Sequence, residues 1–209
     1  MFNDQVSLGY MLIAVVIGFA GLIYLLLKYR KSFLEGNLQL TADQAWSEVS
    51  DRANKANFSK SDLLFGIWQD LSSTLPILLV KDHTNEIVGR VEFTLSCRKF
   101  KISVGNENFD VNFPPTWNRS AHLSIENNKS VLASYLKLNI FGKHQFEIPG
   151  YGILISKRPN FNPRIIFDYN LNKNLVGTTQ EISSRRRIGR LAVLPPILPL
   201  HLRIFILAL

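Results

Sequence analysis

From Leu75 onward the chain is a succession of short apolar runs, and this rhythm limits its possible folds more than any other feature. The runs are rich in β-branched and aromatic residues, and several alternate, as in Phe100, Ile102 and Val104. Turn-forming pieces such as KDHTNE, GNEN, ENNKS and RPNFNP separate them. The pattern predicts about ten or eleven strands in some 120 residues. Regular spacing of this kind is typical of an antiparallel sandwich or a many-stranded barrel.

The last 19 residues, LAVLPPILPLHLRIFILAL, are mostly apolar and allow three interpretations. A membrane span is disfavoured by Pro195, Pro196 and Pro199, and by Arg203, which is costly near a bilayer centre. A final strand is favoured by residues 204–206, Ile-Phe-Ile. A helix that starts at Pro199 and is apolar on every side has to be buried all round, and it can fill the bore of a wide barrel. We expect this buried C-terminal helix, with the terminal carboxylate emerging at the far mouth of the barrel.

Residues 6–27, VSLGYMLIAVVIGFAGLIYLLL, form an uncharged apolar segment at the other end of the chain. Its 22 residues exceed the roughly 20 that a helix needs to cross the hydrocarbon core. No basic residue precedes it and no small-x-small cleavage site follows it, so an uncleaved anchor is favoured over a signal peptide. Three N-x-S sequons, at Asn57, Asn118 and Asn128, favour a luminal domain only weakly. The basic residues that follow are Lys28, Arg30 and Lys31, and they predict a single-pass protein with its N-terminus outside and residues 28–209 in the cytoplasm.

Between the anchor and the strand-rich region, residues 41–44 (Thr-Ala-Asp-Gln) form a capping box. A helix from about residue 42 to 55 is expected, because apolar residues then recur at helical spacing at Ala42, Ala45, Trp46, Val49 and Ala53. The following stretch, SDLLFGIWQDL, fits either a second short helix or a strand. The predicted organisation is a transmembrane helix at 6–27, a basic juxtamembrane stalk with an amphipathic helix at 28–58, and a β-barrel domain at 59–209.

Two parts of the sequence resemble a known family. The hairpin LLVKDHTNEIVGRVEF (residues 78–93) and the ending RLAVLPPILPLHLRIFILAL (residues 190–209) are similar to the tubby C-terminal-like superfamily, which includes tubby proteins, phospholipid scramblases and LURP-one-related proteins. The resemblance covers residues 60–209 and implies a closed antiparallel barrel around a buried C-terminal helix. The N-terminal anchor departs from the usual family pattern, and the phosphoinositide- and calcium-binding residues of the family have no matching positions here. The resemblance therefore concerns the fold, which does not fix function.

The composition and motifs point away from catalysis. No P-loop, G-x-S-x-G or G-x-G-x-x-G motif occurs, and the four histidines lack metal-ligand spacing. The one cysteine, Cys97, excludes an internal disulfide and is expected to be a structural strand residue. We expect a non-enzymatic protein without a cofactor or a bound metal.

The basic residues are the most concrete functional feature. The chain has 24 Lys and Arg against 16 Asp and Glu, a net charge of +8, so an anionic partner is favoured. Four arginines lie within six positions in SSRRRIGR, where they fit either an edge strand protected against aggregation or a surface for anionic lipid. The candidate lipid contacts are Lys28, Arg30, Lys31, Arg185, Arg186, Arg187 and Arg190.

The sequence thus predicts a membrane-anchored binding or scaffolding protein whose partners are the lipid bilayer and its anionic phospholipid head groups. Two alternatives stay open, which are scramblase-like lipid transfer and a platform for a membrane protein partner. Nucleic acid is not an expected partner, since the anchor restricts access and no recognition module is evident.

Overall fold

The computed structural model describes most of the chain outside the N-terminal segment, the stalk and several connections. The described residues are 15–26, 40–69, 76–94, 99–114, 120–126, 130–138, 143–157, 166–171, 174–181 and 189–209.

Residues 15–26 are helical, and we name this part of the chain α1. Its large side chains, from Val15 to Leu26, are all exposed. Among the residues described, no helix combines the length and the apolarity needed to cross a bilayer.

Twelve strands form one closed antiparallel barrel, in which each strand pairs with its neighbours in sequence and β12 pairs with β1. This confirms the predicted antiparallel closed barrel. The strands are β1 (Leu63–Gln69), β2 (Ile77–Asp82), β3 (Ile87–Phe93), β4 (Lys99–Val104), β5 (Glu107–Asn112), β6 (Ser120–Ile125), β7 (Val131–Lys137), β8 (His144–Ile148), β9 (Gly152–Lys157), β10 (Ile166–Leu171), β11 (Asn174–Glu181) and β12 (Gly189–Val193).

The C-terminal helix follows Pro199 and runs through the barrel as α3, Leu200–Ala208. Phe205 is fully buried and meets the ring of Phe146 edge-on, with centroids 5.9 Å apart. A side chain at Gly89 would overlap Ile204, because the helix passes close to that point of the wall. Apolar side chains from the inner faces of the strands and from α3 make one core. The predicted buried helix is therefore confirmed, and the alternatives of a membrane span and a final strand are wrong.

A second helix, α2 (Ala42–Lys55), packs on the outside of the barrel. Its capping box forms as predicted, since the Gln44 N–H donates to Thr41 Oγ1 and the Thr41 N–H donates to Gln44 Oε1. A second core joins the helix to the outer faces of β1 and β12 and contains Ala42, Ala45, Val49, Ala53, Leu63, Phe65, Ile67, Leu191 and Val193. Near the end of α2, Arg52 Nη1 donates to both carboxylate oxygens of Asp168 in β10, at 2.8 and 3.0 Å.

The position of α2 explains why the sequence left the stretch SDLLFGIWQDL undecided. This stretch contains β1, which is buried on both faces, by the barrel core at Leu64 and by α2 at Leu63 and Phe65. The sequence of a strand that is covered on both faces is a continuous apolar run without alternation. The barrel consequently has one strand more than the apolar runs from Leu75 onward indicate.

The barrel has two different ends. We call the end where α3 begins the proximal end; it contains the turns at residues 83–86, 105–106 and 149–151. We call the end where α3 finishes the distal end; it contains the ends of the strands at Lys99, Lys137, Lys157 and Gly189. Strands of this length place the two ends roughly 15–20 Å apart once their tilt is considered.

Candidate functional site: the distal end of the barrel

The connections of the barrel differ strongly in charge between its two ends. In an up-and-down antiparallel barrel, alternate connections leave from the same end. The six connections of the distal end carry one acidic residue, Asp70, and the basic residues Arg98, Arg119, Lys143, Arg158, Arg164, Arg185, Arg186 and Arg187. The hairpin connections of the proximal end carry both signs equally, namely Glu86, Glu126, Lys129 and Lys173. Of the residues named for the distal end, only Lys143 is among those that the structure describes, so the charge difference is a property of the sequence between the described strand ends.

Among the described residues at the ends of the strands there, basic side chains outnumber the acidic ones, which include Glu92 and Glu181. Lys99, Lys143 and Lys157 are exposed at this end, and Lys137 lies half-buried at the end of β7. Lys99 and Lys157 are far in the sequence from Lys137 and Lys143, which flank one connection, and strand pairing brings all four to one rim. We call these four residues the distal lysines.

Below this rim, Arg190 points into the barrel and not to its surface. Its Nη1 donates to the carbonyl oxygen of Leu207 at 3.2 Å, near the end of α3. A guanidinium group at a helix C-terminus is favourable because it meets the negative end of the helix dipole. Glu181, which is 7% exposed, lies directly across the strand pair from Arg190 and faces the same interior. The distal mouth is therefore lined by polar groups that hold the end of α3.

Two aromatic hydroxyl groups continue this polar lining. The Tyr135 hydroxyl lies 3.0 Å from His144 Nδ1, and the Tyr169 hydroxyl lies 3.0 Å from Thr179 Oγ1. Burial, together with the positive charges of Lys137 and Arg190, lowers the pKa of His144 to about 4. Burial also raises the pKa of the Tyr169 hydroxyl above its usual range. Both groups are therefore neutral near pH 7, so the charged side chains of the mouth are Arg190 and Glu181, and the lysines of the rim surround them.

The space inside the distal mouth is small. The cavity between His144, Tyr169, Arg190 and the end of α3 has a volume of about 30 Å³, which is the room that one water molecule needs. A lipid head group does not fit into it. A larger ligand at this end would therefore contact the outer surface of the barrel and not the inside of the mouth.

A larger cavity, of about 750 Å³, is a groove lined by residues of β2 to β5 near their distal ends, Lys99 among them. Its charged residues are of both signs and form local ion pairs. Arg90 Nε lies 2.8 Å from Glu92 Oε1, and Lys101 Nζ lies 2.5 Å from Glu126 Oε1. This hydrogen-bonded pair raises the pKa of Lys101 and lowers that of Glu126. Lys99 also lines the groove, so the groove adjoins the distal rim and carries charges of both signs.

The proximal end differs in two respects. Two of its acidic groups have local partners: Asp43 lies 2.6 Å from Lys60, and Asp82 accepts hydrogen bonds from the hydroxyl and the N–H of Thr84. Although burial raises the pKa of Asp82, these hydrogen bonds outweigh it and lower the pKa. Among the described residues of the barrel, exposed large aliphatic side chains are also concentrated at this end, at Ile87, Ile125, Val131, Ile153 and Ile197, against Leu138 alone at the distal end.

The structure places only one of the seven candidate lipid contacts. Lys28, Arg30, Lys31, Arg185, Arg186 and Arg187 lie outside the described residues, as does Cys97. Arg190 is described, but its side chain binds the end of α3. The connection that contains Arg185, Arg186 and Arg187 starts after Glu181 and ends before Gly189, both at the distal end.

Sequence reasoning missed the distal lysines as a group, because no continuous basic run contains all of them. Only the alternation of connections between the two ends shows that they belong together, and this alternation could have been applied to the predicted strands. Among the described residues, no group of three His, Cys, Asp or Glu side chains is placed to hold a metal ion.

The fold and its distal end define the chain as a closed twelve-stranded antiparallel barrel around a C-terminal helix, with a basic rim. No family model, no curated protein and no solved structure matches it.

Proposed function

We propose that this chain is a membrane-anchored, non-enzymatic binding protein whose barrel contacts anionic phospholipid head groups through its distal end. Residues 6–27 serve as the anchor, and residues 28–209 lie on the cytoplasmic side. The architecture is that of the tubby C-terminal-like superfamily, a proposal that the closed barrel with its internal C-terminal helix supports.

The observation that carries this proposal is the one-sided charge of the barrel. A rim of lysines without a matching number of acidic residues attracts a surface of negative charge. The nearest abundant surface of this kind for a membrane-anchored protein is the anionic lipid of a cytoplasmic leaflet. Each basic residue held close to such a surface contributes on the order of 1 kcal/mol. The distal lysines alone can therefore provide a useful affinity without a pocket.

The anchor is supported by the exposure of α1. Its described residues are apolar and exposed on all sides, and a helix of this composition needs an apolar environment around its whole circumference. The sequence of residues 6–27 is long enough to provide one complete crossing of the hydrocarbon core.

Titration of the detergent-solubilised full chain with short-chain phosphatidylserine, and with the matching phosphatidylcholine, tests the proposal. We expect preference for phosphatidylserine, measured by thermophoresis. The variant Lys99→Gln/Lys137→Gln/Lys157→Gln should lose roughly a hundredfold in affinity, since three favourable charges are removed. Raising the salt concentration should weaken binding in the same direction.

The matched control is Lys60→Gln/Lys81→Gln, which removes lysines from the proximal end of the same domain. This variant should bind phosphatidylserine as the unchanged chain does. Equal affinity for both lipids, or equal losses in the proximal and distal variants, would exclude a specific role of the distal end. Thermal unfolding of both variants verifies that the barrel is intact.

A further inference from the structure

We propose that the chain bridges two membranes, with its helix anchored in one and the distal end of the barrel bound to the anionic surface of a second. This inference rests on the proposed function and adds to it which membrane the basic end meets. It follows from the positions of the stalk, the aliphatic side chains and the lysines on the barrel.

The first step is that the stalk joins the barrel at its proximal end. The described chain resumes at Leu40, immediately before α2. The first residue of α2, Ala42, donates its N–H to Asn85 Oδ1 at 2.7 Å, in the turn between β2 and β3. The ion pair of Asp43 with Lys60 fixes the same turn of α2 beside the start of β1. The polypeptide that comes from the anchor therefore reaches the end of the barrel that is opposite to the distal lysines.

The second step is that the proximal end suits the interface of the anchoring membrane. Ile197 is 74% exposed in the turn that precedes α3, and Ile87 is 60% exposed beside the turn to which α2 binds. Three further aliphatic side chains stand exposed around the same rim. Exposed apolar groups that cluster at one end of a domain mark a surface that is covered by another apolar phase. Two of the acidic groups at this end, Asp43 and Asp82, are bonded locally, which weakens their opposition to this contact.

The third step is the distance between the ends. With the proximal end on the anchoring membrane, the distal lysines stand roughly 15–20 Å farther away. This exceeds the screening length of about 8 Å at physiological ionic strength. The charges of the distal end then have almost no attraction to the anchoring membrane. They face away from it, where the anionic surface of a second membrane can bind them.

The opposite arrangement is sterically accessible but less favourable. The stalk residues 27–39 can extend to at most about 45 Å, which is enough to turn the barrel over onto the anchoring membrane. That arrangement leaves the aliphatic rim of the proximal end in water. It also requires the stalk to run back along the whole length of the barrel. In the bridging arrangement, the aliphatic side chains of the proximal end contact the anchoring membrane and the distal lysines contact the second membrane.

A vesicle-docking experiment distinguishes the two arrangements. The full chain is reconstituted into donor-labelled phosphatidylcholine vesicles, which are mixed with acceptor-labelled, protein-free vesicles rich in phosphatidylserine. Energy transfer between the two labels reports docking. We expect docking with phosphatidylserine vesicles and none with phosphatidylcholine vesicles. The distal variant Lys99→Gln/Lys137→Gln/Lys157→Gln should reduce the apparent affinity for the acceptor vesicles by roughly a hundredfold, while the proximal variant Lys60→Gln/Lys81→Gln keeps it.

The outcomes separate this inference from the proposed function. If the solubilised chain prefers phosphatidylserine but the vesicles do not dock, the barrel binds its own membrane and the bridging inference is wrong. If neither occurs, both proposals fail. Docking that is equal with phosphatidylcholine vesicles, or that is unchanged in the distal variant, also contradicts bridging through the basic rim. Finally, an RNA oligonucleotide that binds the reconstituted chain more tightly than phosphatidylserine vesicles would assign the distal end to nucleic acid instead.

Discussion

The two ends of the barrel are built from the same strands but differ in the balance of their charged side chains. At the proximal end, acidic and basic groups neutralise one another locally, as Asp43 does with Lys60, and aliphatic side chains such as Ile197 are exposed. At the distal end, lysines from several strands stand on one rim. Since both ends belong to the same strands and enclose the same helix, stability does not require this difference. We attribute it to the surfaces that the two ends meet.

The helix α3 is also bound differently near its two ends. Near its start, Arg203 Nη2 donates to the carbonyl oxygen of Asp62 at 2.5 Å, while its buried Nε has no hydrogen-bond partner. Burial lowers the pKa of this guanidinium, opposed by the charge of Asp62. Near its end, the helix carbonyl of Leu207 accepts a hydrogen bond from Arg190 of the barrel wall. The helix is thus held to the wall by one arginine at each end.

The largest expected effect is on the folding stability of the domain, and it comes from a substitution in the buried helix α3. Phe205→Asp places an unpaired carboxylate in the fully buried core, at a cost of at least about 5 kcal/mol, and should leave the domain unfolded or insoluble. Ile197→Asp changes an equally apolar residue at the exposed proximal rim and should remain folded. Soluble expression and circular dichroism compare the two, and a folded Phe205→Asp variant would contradict the buried helix.

The next effect concerns the arginine-rich connection of the distal end. Arg185→Ala/Arg186→Ala/Arg187→Ala removes three charges from the connection between β11 and β12 and should reduce the affinity for phosphatidylserine by about 3 kcal/mol, or roughly a hundredfold. Titration with short-chain phosphatidylserine measures this loss. Unchanged affinity would limit lipid contact to the distal lysines and would favour a role of the arginines in protecting an edge strand.

The two arginines that hold α3 should differ in their contribution to stability. Arg190→Met removes the bond to Leu207 and leaves the buried Glu181 without the cation that faces it, at a cost of about 2–4 kcal/mol. Arg203→Met should cost about 1 kcal/mol or less, because a donor that is already unsatisfied disappears with the lost bond. Urea unfolding of the full chain in detergent gives both values. Equal costs would show that the two ends hold the helix equally.

Stability should also depend on pH through His144 at the distal end. Its folded pKa of about 4 lies below the ordinary value of 6.5, so the unfolded chain binds the proton more readily. The contribution is complete above pH 6.5 and is lost as the pH falls from 6.5 towards 4. Allowing for its partial exposure, we expect a loss of about 1–2 kcal/mol. His144→Phe should remove this part of the pH dependence in urea unfolding, and an unchanged profile would assign it to other groups.

The smallest effect measures the positive field of the distal end directly. Lys137→Gln removes one of the two charges that lower the pKa of His144, so that pKa should rise by a few tenths of a unit. Nuclear magnetic resonance titration of the imidazole detects such a shift. Lys81→Gln at the proximal end should leave the His144 titration unchanged. A shift of equal size in both variants would show that the field is not specific to the distal end.

Local sequence patterns were sufficient for several elements. The capping box at Thr41 and Gln44 starts α2 where it was predicted, because both hydrogen bonds depend only on neighbouring residues. Pro199 is the N-cap of α3, which begins at Leu200, one residue later than predicted, because a helix cannot continue through the preceding prolines. The alternation of Phe100 and Ile102 placed them on the inner face of β4.

Two other features could be recognised only from the tertiary contacts of the residues involved. Strand β1 could not be recognised by alternation, because α2 buries its outer face. Arg190 belonged to an arginine run in the sequence, but its position in β12 directs it into the barrel towards Leu207.

By itself, the sequence determined most of the strands, the helices α2 and α3, and the burial of the last helix, while β1 stayed undecided. These properties depend on periodicity, caps and apolarity within a few neighbouring residues. Only the tertiary structure decided that the basic residues share one end of the barrel and that the stalk joins the other. Strand pairing brings together residues that lie far apart in the chain, and neither residue type nor spacing records which of them will become neighbours.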